Sequence, residues 1–140
     1  MRTAQMNDRV LVVDDTKICR NNIKRYLQNT YQVDTAASLE EALNLLMNSG
    51  PYQVVITDIG LSTDETDTEG IDLLKAINKH WPTTMTIAIS GRATVVNVDK
   101  FKEEYHTLDY LPRDILDKAK ITALVERGVV LSHEAEGKQS

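Results

Sequence analysis

The chain has 140 residues, 41% of them hydrophobic and 26% charged, with three prolines and six glycines, the profile of one soluble globular domain. Sixteen Lys plus Arg against 21 Asp plus Glu give a formal net charge of −5. No basic block follows a phosphate backbone, so direct nucleic-acid binding is not expected. A single cysteine, Cys19, excludes an internal disulfide and a multi-thiolate zinc site. With no signal peptide, transit peptide or long apolar run, the expected location is cytoplasmic, without membrane insertion.

Arg9-Val-Leu-Val-Val13 is a continuous β-branched run ending in Asp14-Asp15, as expected of a strand buried on both faces of a parallel sheet. The period then changes: Ile18, Cys19, Ile23, Tyr26 and Leu27 recur at helical spacing to about residue 29. Tyr31 to Ala36 reads as a second strand. Ser38 with Glu41 is a capping-box signature for a helix with Leu39, Ala42, Leu43 and Leu46 on one face, closed by Gly50-Pro51.

Gln53 to Thr57 is a third strand delivering Asp58, followed by a long acidic loop. Gly70 precedes a helix whose Ile71, Leu74, Ile77 and Trp81 share a face and which Pro82 closes. Thr84 to Ile89 is the fourth strand, leading to Ser90-Gly91. Val95, Val98, Phe101 and Tyr105 then give a weaker helical stripe, rich in β-branched residues. Thr107 to Leu111 is the fifth strand. Asp114 can cap a last helix carrying Leu116, Ala119, Ala123 and Leu124 and ending near Gly128, which leaves 132–140 as a frayed polar tail.

Five strands alternating with five helices predict a doubly wound α/β fold around an open parallel sheet with right-handed crossovers. In such sheets ligands bind beyond the carboxyl ends of the strands. Those ends carry Asp14-Asp15, Asp58, Ser90 and Arg113. Clustered carboxylates repel unless a cation neutralises them, and magnesium suits such a site because it takes one or two carboxylates together with phosphate oxygens. The rim therefore points to phosphoryl chemistry, with Asp58 as nucleophile and Ser90 and Arg113 steadying the phosphoryl oxygens.

These residues resemble the receiver domain of two-component response regulators, over roughly residues 8–131, with 1–7 an amino-terminal extension. The resemblance implies a flavodoxin-like, CheY-like (βα)5 fold with strand order 2-1-3-4-5. It makes Asp58 the phosphoacceptor, Asp14 and Asp15 the acid pair for Mg2+ and Ser90 the switch hydroxyl, with Gly91 beside it. Tyr110 becomes the aromatic that follows the switch, and Asp58 with the Gly60 backbone carbonyl completes the metal ligands. Arg113 stands at the position of the family's usual lysine, in Leu111-Pro112-Arg113-Asp114. It keeps the charge but differs in length and planarity.

The loop after Asp58 is long, lacks the family's usual proline and carries Asp64, Glu65, Asp67 and Glu69. Those acids read as a solvated run without EF-hand spacing. Gly60 offers no side chain toward the site, and Arg92 adds a cation two positions past Ser90. His80, His106 and His133 read as surface residues, and Cys19 as a small half-buried residue on the first helix.

The expected function is a stand-alone receiver, a signalling domain and not an enzyme. It takes a phosphoryl group from a histidine kinase or phosphotransfer protein and acts through a protein target. Its contact surface, or a homodimer interface, would be the face of the fourth helix, fifth strand and fifth helix, where exposed Val95, Val96, Val98 or Tyr110 would favour contact. The alternative is a pseudo-receiver, a docking module that ignores phosphorylation. An aspartyl phosphohydrolase is disfavoured because Asp58-Ile59-Gly60 lacks a second Asp. An FMN carrier is disfavoured because neither the first nor the third loop offers a hydroxyl-rich phosphate cradle.

Overall fold

The computed structural model describes residues 8–59, 69–90, 97–113 and 116–139. Within them run β1 (Arg9–Val13), α1 (Lys17–Leu27), β2 (Gln32–Ala36), α2 (Leu39–Asn48), β3 (Val54–Asp58), α3 (Glu69–His80), β4 (Met85–Ser90), α4 (Val98–Tyr105), β5 (Asp109–Pro112) and α5 (Lys118–Gln139). The strands pair in parallel in the order β2-β1-β3-β4-β5, so the doubly wound five-stranded sheet expected from the sequence is the observed fold.

Alternation along the strands feeds two cores, because successive side chains leave a strand on opposite faces. Val10, Val12, Val54, Ile56, Ile87 and Ile89 meet Ile23 and Leu27 of α1 and Ile121, Val125 and Val129 of α5. Leu11, Val13 and Val55 face Ala42 and Leu46 of α2 and Leu73 and Ile77 of α3. Phe101 of α4 joins Leu74, Ala88 and Tyr110 in a smaller cluster. The helices thus lie as α1 and α5 on one face and α2, α3 and α4 on the other. Strand order reverses at β1, which places the switch point between the carboxyl ends of β1 and β3.

The local signals act much as their chemistry requires. Ser38 Oγ accepts from the Glu41 amide at 3.2 Å, while Glu41 Oε2 reaches back to the amide of Ala37 at 2.6 Å. Asn97 Oδ1 caps α4 through the Lys100 amide, and His106 at φ 53° ends it in the left-handed region. Gly70 lies inside the first turn of α3 and not before it. A Cβ there would overlap Ile59 Cα and the Asp58 carbonyl oxygen, so only glycine lets α3 press against the exit of β3.

The last helix corrects the sequence expectation in two respects. At its start Asp117 supplies a carboxylate that accepts from the Lys120 amide at 2.7 Å, and Asp114, the expected cap, lies outside the described residues. Its buried stripe is Ile121, Val125, Val129 and Ser132, whereas Ala119 and Ala123 are exposed. The helix also passes Gly128 and continues to Gln139, so the stretch from 132 is helical and not frayed. Gly128 is there for close packing: a Cβ would come 2.8 Å from Val54 Cγ2. Beyond it Ser132 Oγ donates to the Thr83 carbonyl at 2.7 Å, and His133 Nε2 donates to buried Asp8 Oδ1 at 2.8 Å.

Candidate functional site

Strand register assembles the rim. Val13 is level with Thr57, so the next residues, Asp14 and Asp58, leave the sheet side by side. Asp58 is level with Ile89, and Ser90 with Pro112, which brings Arg113 to the same end. Carboxylate oxygens of Asp14, Asp15 and Asp58 lie within 4.8 Å of one another. Asp14 is fully buried, Asp58 is 2% exposed and Asp15 is exposed.

Each partner of Asp14 has a separate task. Its amide donates to the Ala36 carbonyl at 3.1 Å, continuing the sheet by one residue. Oδ1 accepts from the Thr16 amide at 2.7 Å, which turns the chain into α1. Oδ2 faces the site and stands 2.9 Å from Arg113 Nη2. That same nitrogen contacts Asp58 Oδ2. Arg20, one turn into α1, donates from Nη1 to the Asp14 carbonyl oxygen at 2.6 Å and so fixes the backbone that carries the acid.

Two titrations follow from this crowding. Burial alone would lower the Arg113 pKa, but the negative charges of Asp14 and Asp58 outweigh it and raise the value, so the guanidinium stays a cation. For Cys19, burial first, then a hydrogen bond to Asp14 and the charge of that acid, push the thiol up to about 12. Such a thiol is a half-buried packing group at neutral pH and not a reactive thiolate.

Oxygen donors of three carboxylates within such a span suit a hard divalent cation of the magnesium type. Asp58 Oδ2 and Asp14 Oδ2 point into the same space, and Arg113 Nε is buried with no hydrogen-bond partner among the described residues. The rim therefore joins excess negative charge, a fixed cation and a spare buried donor, a combination able to receive a phosphate held by a metal.

Of the residues expected from sequence, the structure brings together Asp14, Asp15, Asp58 and Arg113, and places Ser90 buried at the end of β4. Gly60, Gly91, Arg92, Asp64, Glu65, Asp67, Val95 and Val96 lie outside the described residues. Tyr110 is 6% exposed and stacks edge-on against Phe101 at 4.8 Å, so its ring faces the core and offers no open contact surface here. Val98 is exposed. His80 and His106 are exposed as expected, but His133 is not a free surface residue, being tied to Asp8. Thr16 and Arg20 are further residues of the site, not expected from sequence; their positions two and six residues past Asp14, at the start of a helix, are the available signal.

The fold and rim define a flavodoxin-like α/β domain with an acidic pocket at its switch point. The sequence pattern of the response regulator receiver domain matches residues 10–126, and the chain belongs to that family. It is 37% identical over 87 residues to a putative response regulator, NtrX-like, of Rickettsia bellii, covering 61% of this chain and 18% of that protein. It is 33% identical over 82 residues to the hydrogenase transcriptional regulatory protein HoxA of Cupriavidus necator, covering 59% and 16%. The chain thus matches less than a fifth of either relative's length.

Among solved structures, a CheY-like response regulator receiver domain protein from Methanospirillum hungatei superposes with a TM-score of 0.78 at 23% identity, covering 91% of this chain and 98% of that one. A Francisella response regulator receiver domain gives 0.67 at 28% identity, covering 92% and 99%. Receiver domains are signalling modules that bind Mg2+ in an acidic pocket and interact with histidine kinases or phosphotransfer proteins. No helix among the described residues is long and apolar enough to cross a membrane.

Proposed function

We propose that Asp58 is the phosphoacceptor of a signalling receiver and that a histidine kinase or phosphotransfer protein is the donor. A carboxylate oxygen of Asp58 attacks phosphorus, forming an O–P bond as the N–P bond of the donor phosphohistidine breaks. The electron pair and a proton go to the imidazole nitrogen. Asp14, Asp15, Asp58 and the Gly60 carbonyl would hold a Mg2+ ion, which would supply positive charge to the phosphoryl oxygens.

The chain's own groups do the rest. Asp14, locked by the Thr16 amide and the Arg20 grip on its carbonyl, holds the metal side of the pocket. Ser90 donates its hydroxyl to the phosphoryl group from the end of β4, and Arg113 supplies a charge-assisted bond. Movement of Ser90 toward phosphate changes the space beside β4, and Tyr110, packed against Phe101 on the same side, responds to that change. The signal leaves as altered protein contacts on the α4, β5 and α5 face, to an effector or a second copy. A cytoplasmic location follows from the kinase partnership.

The convergence of Asp14, Asp15, Asp58 and Arg113 at the switch point carries this reading. The test is incubation with acetyl phosphate or phosphoramidate, with and without Mg2+, read by intact mass. One phosphoryl group should be added only with Mg2+, and Asp58→Asn should abolish it. The Arg113 contact with both Asp14 and Asp58 favours one other reading, a docking module whose pocket is closed by its own cation. That reading predicts no adduct, and partner binding indifferent to Mg2+ and phosphodonors.

A further inference from the structure

The α3 and α4 layer carries a second opening, none of whose lining residues belongs to the acidic rim. It is a cleft of about 420 Å³, lined by Lys75, Asn78 and Lys79 of α3 and by Glu104, Tyr105 and His106 at the end of α4. That volume falls within the range of small-molecule sites, about 300–1,000 Å³.

Hydrogen bonds fix the frame of the cleft. Asn78 Nδ2 donates to the Tyr105 carbonyl at 2.5 Å, which ties α3 to the end of α4. The His106 and Thr107 amides both turn back onto the Lys102 carbonyl, and His106 closes the helix in the left-handed conformation at φ 53°. The Phe101 ring packs against that of Tyr105 at 4.8 Å. The α4 carbonyls at Lys102 and Tyr105 thus have donors of their own and do not consume the cations on the cleft wall.

The charge on that wall is uncompensated. Lys75 and Lys79 are exposed and stand four residues apart on one helix, a like-charge spacing that destabilises a helix. Neither has an ion-pair partner among the described residues. The helix dipole, which acts within the last turn, accounts for Lys79 but not for Lys75. Two ammonium groups against one carboxylate, Glu104, line the cleft, in a chain whose formal net charge is −5.

We propose that this cleft binds a small phosphate-bearing anion, with Lys75 and Lys79 as its charge partners and the His106 ring as a further donor. A terminal phosphoryl group carries about −1.5 to −2 charge at neutral pH and so matches the two ammonium groups. Lysine serves phosphate as a point charge. The site adds to the receiver reading and does not rest on it.

The test is a titration of the full, isotope-labelled chain with inorganic pyrophosphate in the presence of a chelator, followed by amide chemical shifts. The chelator keeps metal from bridging the anion to the acidic rim. Saturable shifts should concentrate in 75–79 and 104–107. The double variant Lys75→Gln, Lys79→Gln should weaken binding about tenfold, and each single variant about threefold. Lys75→Arg with Lys79→Arg keeps the charge and should stay within about twofold of the parent. Lys118→Gln with Lys120→Gln removes the same charge from the exposed start of α5 and should also leave the affinity unchanged. Circular dichroism identifies any variant that fails to fold, and either single variant then suffices. Equal weakening by the α5 pair, shifts spread over the surface lysines, or shifts that do not saturate would mean an adventitious ion only and would overturn the site.

Discussion

The two ends of the sheet are built from the same kinds of residue and arrive at opposite charge balances. At the amino-terminal end, Arg9 Nη2 pairs with Asp34 Oδ2 at 2.8 Å, the Tyr52 hydroxyl donates to the same oxygen at 2.6 Å, and the guanidinium lies 4.7 Å over the Tyr52 ring. Nearby, Asp8 is matched by His133. Each acid there has a cationic or hydrogen-bonding partner, and the network ties β1, β2 and α5 together. At the carboxyl end, three carboxylates lie within 4.8 Å of one another, and two of them, Asp14 and Asp58, share the Arg113 guanidinium. A balanced network is structural, whereas surplus like charge that is kept in place invites a ligand of opposite sign.

That contrast is broken most directly at Arg113. Removing one partner of a buried ionic cluster leaves uncompensated charge. Because the Arg113 side chain is 31% exposed, Arg113→Met should cost nearer the low end, about 2 kcal/mol in the presence of a chelator. Mg2+ should then restore stability to the variant, since a cation that binds only the folded state stabilises it by an amount that grows with the logarithm of its affinity. Urea unfolding in chelator and in Mg2+ measures both. A loss below about 0.5 kcal/mol would mean that Arg113 does not neutralise the pair.

The opposite end should respond to His133→Ala with a smaller loss, about 1 kcal/mol, the ordinary worth of a buried hydrogen bond. The variant frees buried Asp8 from the ring that now meets it. No Mg2+ dependence should accompany the loss, and hydrogen exchange should quicken in 130–139, where α5 reaches past the sheet. A Mg2+-dependent effect there would contradict the division between a structural and a ligand-seeking end.

The difference between the ends also explains what the sequence could disclose. Strand identity was legible because buried parallel strands are continuous apolar runs, and the rim was legible because each acid directly follows such a run. The Arg113 contact was not legible, since pairing across 99 positions depends on strand register. The end of α5 was misread because Gly128 is a helix-terminating residue by propensity and a close-packing residue in place. Apolar periodicity fades after Val129, where Ser132 and His133 continue the buried stripe by hydrogen bonds that a hydrophobic pattern cannot register. Tyr110 turned inward for a related reason: its partner Phe101 lies on α4, the helix with the weakest stripe.

The smallest effect distinguishes the ends by alkali. The Cys19 thiol at the rim is held up at about 12 from an ordinary 9.0, through burial and then Asp14. Burial and then the Asp34 hydrogen bond likewise raise the Tyr52 phenol at the other end above its ordinary 10.0. In each case the folded chain keeps a proton that the unfolded chain releases, so the stability contribution is full below the ordinary value and is lost as pH rises through the folded one. Parent stability should therefore fall from about pH 9 upward. Cys19→Ala should flatten the first part of that decline, between 9.0 and about 12, and Tyr52→Phe the part that begins near 10.0. Iodoacetamide at pH 9 should alkylate Cys19 in the folded chain at least about a hundredfold more slowly than in urea, because the thiolate is the nucleophile. Rapid alkylation of the folded chain would place Cys19 outside the field of Asp14 and weaken the description of the rim as a crowd of negative charge.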